Sequence, residues 1–175
     1  MPSTKVFLIG PMGAGKTTIG RRLATELSLP FIDTDMEIEE RSGADIPWIF
    51  DVEGEEGFRR RETRVLADAC ESTPAVIATG GGIVTVDENR ELIRENGVVV
   101  YLHATVKQQL SRTGKDKNRP LLNEGEPETV LTDLMAVREP LYRDIADVVV
   151  PTDNRNPRVT AGEIARQVRA LPAYQ

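Results

Sequence analysis

Only one cysteine, Cys70, and one histidine, His103, occur in 175 residues. A single cysteine excludes an intramolecular disulfide. With no signal-peptide pattern at the start, the expected compartment is a reducing cytoplasm. No apolar run approaches the roughly 20 residues that span a bilayer, so no membrane partner is expected. Cationic excess is also absent. The net charge is −6, which argues against nonspecific nucleic-acid binding, because that requires a basic face. An anionic ligand stays possible, since local arginines can reverse the field inside a cleft. Cys70 lies in a helix-like stretch and reads as a packed thiol rather than a nucleophile. With no other histidine nearby, His103 reads as a surface or strand-end residue rather than part of a metal site or His-dependent triad.

What the chain does contain is alternation. "KVFLIG" reads as a buried strand, and Ile19, Leu23 and Leu27 then recur at helical spacing until Pro30. "FID" is a short second strand. Residues 35 to 42 read as helix, "DIPWIF" starts another, and 55 to 71 form a charged helix with Phe58, Val65, Leu66 and Ala69 inward. "AVIAT" and "VVVYL" are strands of the doubly buried type. Residues 126 to 145 read as helix, with Leu131, Leu134, Met135 and Leu141 as core candidates, and "DVVV" is a fifth strand. Pro157 suits the first turn of a closing helix that carries Ile164, Val168 and Leu171. The expectation is one α/β domain over 1–175, a five-stranded parallel sheet with helices on both faces. Residues 113–125, "TGKDKNRPLLNEG", form a polar stretch long enough to be a functional loop.

The motif with the clearest chemistry is "GPMGAGKT" at 10 to 17. It fits G-x-x-x-x-G-K-[ST] between a strand and a helix. Phosphates need converging N–H donors, and side chains on the turn would block their approach, which explains glycine at 10, 13 and 15. Lys16 can neutralise β and γ oxygens. The Thr17 hydroxyl suits Mg²⁺, a cation that prefers oxygen. No Asn/Thr-Lys-x-Asp element is present, which favours ATP over GTP.

"FIDTD" puts Asp33 and Asp35 where a second parallel strand ends, on one side if the chain is extended. One carboxylate can hold Mg²⁺ and the other accept a proton from an attacking hydroxyl. Asp before a helix is also a common N-cap. "GFRRRE" offers Arg59, "VREPLY" offers Arg138, and "ATGGG" offers Gly80, Gly81 and Gly82. Arginine binds carboxylates through paired hydrogen bonds, so arginines sharing one pocket would mark an anionic acceptor. A solvated helix charge and a bare turn remain alternative readings of Arg59 and the glycines.

Taken together, "GPMGAGKTTIGRRLA", "FIDTD", "IFDVEGEEGFRRRE", "ATGGGIV", "RTGKDKNRPLL", "REPLY" and "RNP" closely resemble shikimate kinase from about residue 5 to 170. The resemblance implies a three-layer P-loop fold like that of the nucleoside monophosphate kinases. It implies Mg²⁺- and ATP-dependent phosphorylation of shikimate at its 3-hydroxyl, on the route to chorismate and the aromatic amino acids. In those terms Gly13, Ala14, Gly15, Lys16, Thr17 and Thr18 wrap the phosphates, Thr17 and Asp33 serve the metal, and Asp35 binds the acceptor hydroxyl and takes its proton. Arg59 and Arg138 grip the carboxylate, and the backbone at Gly80, Gly81 and Gly82 approaches the acceptor. Phe50 and Phe58 wall the pocket, and Glu62 partners Arg59. Arg119 is the lid arginine, within a lid of about 113–125, while Arg112 and Arg155 line the adenine. The acceptor-binding segment is about 34–61. A monomer is expected, and Trp48 is expected either to fill core, the favoured reading, or to touch the acceptor site. Two alternatives stay open: another small-molecule kinase such as a gluconate kinase, and a noncatalytic nucleotide-sensing module.

Overall fold

The computed structural model describes residues 4–113, 126–153 and 155–174. Five strands, β1 (Lys5–Ile9), β2 (Phe31–Asp33), β3 (Val76–Ala78), β4 (Gly97–His103) and β5 (Val148–Pro151), form one parallel sheet in the order β2-β3-β1-β4-β5. The helices are α1 (Lys16–Leu27), α2 (Thr34–Ser42), α3 (Ile46–Glu71), α4 (Asp87–Asn96), α5 (Val106–Thr113), α6 (Pro127–Ile145) and α7 (Pro157–Ala170).

Alternation along the central strand builds two cores. Val6 and Leu8 face one way, with Ile19, Leu23 and Leu27 of α1 and Ile164 and Val168 of α7 packed on them. Phe7 and Ile9 face the other way, against Leu66 of α3, Ile93 of α4 and Tyr142 and Ile145 of α6. Side chains of successive strand residues point to opposite faces, so a wholly apolar strand requires both faces to be covered. A smaller cluster of Ile38, Ile46, Ile49, Phe58 and Val65 fastens α2 to α3.

The chain runs from β1 outward to β2, returns to β3 beside β1, then crosses to β4 on the other side of β1. In parallel sheets such a crossing opens a crevice beyond the carboxyl ends of the strands, where ligands bind. The glycine turn leaves β1 at this edge. Gly10 has φ 146°, and a Cβ there would collide with the Leu102 carbonyl of β4. Gly10→Ala is expected to cost about 2 kcal/mol of stability, seen as a lower urea midpoint with an unchanged slope.

Some expectations are corrected. Leu134, Met135, Leu141 and Leu171 are only partly buried; Leu131, Arg138, Tyr142 and Ile145 are the buried positions of α6. Trp48 is not core but 61% exposed. Ile46 and Ile49 take the inward face of α3, and that register turns the residue between them to solvent. Helices α4 and α5 were not anticipated. The "DIPWIF" helix and the charged helix form one element, broken at Gly54, whose backbone is non-helical at φ 73°. Cys70 is buried, its Sγ donating to the Leu92 carbonyl, and burial raises its thiol pKa. His103 ends β4, edge-on to Tyr101.

Candidate active site

The turn from Gly10 to Thr17 bends through left-handed glycines, Gly13 at φ 81° and Gly15 at φ 88°, and Gly15 caps α1. Backbone N–H groups and the positive end of α1 thus meet one cleft. Lys16 Nζ donates to the carbonyls of Gly10 (2.6 Å) and Pro11 (2.8 Å), which holds its ammonium against the turn. The cleft, of about 260 Å³, is lined by Gly13, Gly15, Lys16, Thr17, Thr18, Asp33, Asp35, Gly80, Gly81 and Arg112. Met12 and Thr79 also line it, and neither was singled out from sequence. Thr79 follows β3 directly, so the strand-edge rule could have found it.

The "FIDTD" geometry differs from an extended chain. The strand stops at Asp33, and Asp35 lies in the first turn of α2. Asp33 acts both as cap and toward the cleft. Its Oδ1 accepts from the backbone N–H groups of Asp35 (3.0 Å) and Met36 (3.2 Å). Its Oδ2 accepts from the Thr17 hydroxyl at 2.7 Å. A hydroxyl and a carboxylate side by side at the phosphate cleft are an oxygen donor pair that suits Mg²⁺. That ion is usually held by one or two protein groups together with substrate phosphates. Among the described residues, no group of three or more His, Cys, Asp or Glu could hold an ion by itself.

The three glycines after β3 are packed by charge. A Cβ on Gly80 would lie 2.8 Å from both Asp35 Oδ1 and Glu62 Oε2. One on Gly82 would overlap Arg59 Nη2 and lie 2.8 Å from Arg138 Nη2. Arg59 and Arg138, far apart in sequence, therefore converge on one backbone segment, and Asp35 reaches its other end. Arg59 Nη1 donates to Glu62 Oε1 at 2.9 Å, and its guanidinium lies over the Phe58 ring, which contacts Phe50. Arg59 Nε and Glu62 Oε2 are buried with no hydrogen-bond partner among the described residues. Buried polar atoms in folded proteins are nearly always satisfied, so these suit a polar ligand.

Burial raises the Glu62 carboxyl to about 7, against the opposing pull of Arg59, and nearby Asp35 adds to the rise. Burial likewise lowers Arg138 below the ordinary guanidinium value. In the unfolded chain Glu62 titrates near 4.5, so the fold holds an extra proton between these values. The resulting stability is complete below about 4.5 and is lost as pH rises through about 7. The loss between pH 5 and 7 is on the order of 2 kcal/mol. Glu62→Gln is expected to flatten the corresponding fall in Tm, measured by calorimetry across that range.

A second cleft adjoins the first, lined by Ala14, Gly15, Thr18, Ile19, Arg112, Thr152, Arg155, Pro157 and Thr160. Gly15, Thr18 and Arg112 line both clefts. Arg112 donates to the Gly13 carbonyl (2.8 Å) and to the Thr152 carbonyl (2.5 Å), bracing the glycine turn from α5. Arg155 pairs with Glu163 at 2.7 Å. Thr152 and Thr160 were not read from sequence, although Thr152 follows β5 at the same sheet edge. Arg119 and most of the 113–125 stretch lie outside the described residues.

Comparison with known proteins agrees with this arrangement. The family model "Shikimate kinase" matches residues 12–169. Shikimate kinase from Pseudomonas aeruginosa (strain LESB58) is 59% identical over 167 residues, covering 95% of this chain and 97% of its own. That of Chromohalobacter salexigens is 57% identical over 166 residues, covering 95% and 92%. A solved shikimate kinase from Acinetobacter baumannii, in complex with shikimate, superposes with a TM-score of 0.93 at 48% identity, covering 95% of this chain and 93% of that one. With a parallel sheet, a phosphate-binding turn and two arginines gathered at one backbone segment, the chain belongs to the shikimate kinase family.

Proposed function

We propose that this site carries out the family's reaction, ATP-dependent phosphorylation of shikimate at its 3-hydroxyl, with the residues in the following roles. The shikimate carboxylate sits between Arg59 and Arg138, where two guanidinium groups offer paired hydrogen bonds. The backbone at Gly80, Gly81 and Gly82 lies close beneath the ring, because side chains there would occupy the space of Asp35, Glu62 and the two arginines. The acceptor hydroxyl then faces Asp35. Its oxygen attacks the γ-phosphorus, the bond from that phosphorus to the bridging oxygen breaks, ADP leaves and Asp35 receives the hydroxyl proton. The products are shikimate 3-phosphate and ADP, and the phosphate ester serves chorismate and aromatic amino acid biosynthesis.

Gly13 to Thr18 receive the phosphates, and Lys16 exchanges its carbonyl partners for β and γ oxygens. Magnesium, when bound at Thr17 and Asp33, supplies further positive charge to the phosphate oxygens. Arg112 and Arg155 flank the nucleotide base in the second cleft. Arg119 acts from the 113–125 segment as the lid arginine, and closure there limits attack by water on ATP. The segment 34–61 forms the acceptor-binding part of a single domain. We assign the protein to the cytoplasm as a monomer. No helix among the described residues is long and apolar enough to cross a membrane.

The observation that carries this reading is the meeting of Arg59 and Arg138 at Gly82, beside Asp35 and the phosphate cleft. A nucleotide sensor needs no acceptor pocket, whereas gluconate also carries a carboxylate, so turnover decides between the two acceptors. The test is coupled ADP release with shikimate, with gluconate and with no acceptor. Release that depends on shikimate alone supports the reading. Equal release with gluconate, or ATP binding without any turnover, refutes it.

A further inference from the structure

Tyr142 is wholly buried in α6, one turn beyond Arg138. A phenolic hydroxyl there needs a partner. It donates to the carbonyl oxygen of Gly81 at 2.5 Å. The same phenol lies within interaction range of the Arg138 guanidinium. Arg138 in turn comes within 3.4 Å of where a Gly81 Cβ would be and within 2.8 Å of that of Gly82. One buried side chain therefore holds the backbone assigned above to the acceptor, next to the arginine assigned to the same ligand. Glycine has the widest backbone freedom of any residue, so three in a row do little to fix their own peptide planes. All peptide bonds described are trans. A Gly81 carbonyl turned toward Tyr142 therefore turns the Gly82 N–H to the opposite side.

We propose that Tyr142 is a positioning residue for the acceptor, its hydroxyl fixing the Gly81–Gly82 peptide plane and seating Arg138 beside it. This rests on the reading of the site as a shikimate pocket. Tyr142 itself lines neither the phosphate cleft nor the second cleft, although Gly81, which it holds, borders the first; the shikimate and ATP KM values therefore separate an effect on the acceptor from one on the nucleotide. Tyr101 provides a matched control. It is equally buried, its ring stacks on Tyr142 with centroids 5.0 Å apart, and its hydroxyl goes to Glu139 instead of a glycine.

The experiment compares wild type, Tyr142→Phe and Tyr101→Phe by ADP release, varying shikimate and ATP in turn, with thermal unfolding of each. Wild type is scored first: without shikimate-dependent release, the parent reading fails and takes this proposal with it. Given an active wild type, Tyr142→Phe is expected to raise the shikimate KM about tenfold. Its ATP KM stays within about twofold of wild type, and Tyr101→Phe leaves the shikimate KM unchanged. The proposal is overturned by an unchanged shikimate KM in Tyr142→Phe, by an equal rise in both KM values, or by an equal effect in Tyr101→Phe. A Tyr142→Phe chain that does not fold also overturns it, since the hydroxyl would then hold the fold and not the acceptor.

Discussion

Asp35→Asn is expected to lower kcat for shikimate phosphorylation by about 10³-fold, within the usual range for removing a general base. The ATP KM should stay within about twofold. Asparagine keeps the shape of the side chain and can still accept a hydrogen bond, but it does not take up the hydroxyl proton. Helix α2 should survive the change, because its capping carboxylate is Asp33 and not Asp35. Steady-state kinetics and far-UV circular dichroism would check both statements. A loss of kcat below tenfold would remove Asp35 from the role of base, and an equal rise in the ATP KM would place it with the nucleotide.

Arg138→Ala is expected to raise the shikimate KM on the order of 10³-fold, because it removes one partner of a buried, charge-assisted contact. Arg138 is 5% exposed and shares its surroundings with Arg59 and Glu62. Without it, the acceptor carboxylate would face a single guanidinium that Glu62 already holds at 2.9 Å. ATP affinity should change little, since Arg138 does not line the phosphate cleft. Arg138→Lys should recover only part of the loss, because an ammonium restores charge but not the planar pair of donors. Full recovery in the lysine variant would show that charge alone is recognised there.

The features legible in the sequence were those governed by local spacing. The apolar run of β1, the glycine turn and the four-residue repeat of α1 each announce their own geometry. Helix α4 was not legible because "DENRELIREN" offers only Leu92 and Ile93 as apolar residues, and Val86 stands at the N-cap without a capping side chain. Helix α5 is eight residues long, and its buried positions are the polar Gln109 and Thr113. Its omission hid how Arg112 is delivered to the glycine turn. Asp33 posed a choice between cap and site. The sequence could not show that its two oxygens divide the tasks, because that requires α1 and α2 to meet. Convergence of Arg59 and Arg138 depends on α3 and α6 packing on the same face of the sheet, a long-range outcome that no local pattern encodes. The role of Tyr142 is not legible in "REPLY" because its partner, the Gly81 carbonyl, lies 61 positions away in sequence.

The divided carboxylate of Asp33 has a consequence for timing. One oxygen touches the triphosphate side through Thr17, while the other grips the amide of Asp35 itself. A rearrangement at Thr17 when a nucleotide arrives would therefore act on the same group that holds Asp35, the proposed base. On the proposed roles, a single side chain would then connect an occupied donor site to the place where the acceptor's proton departs.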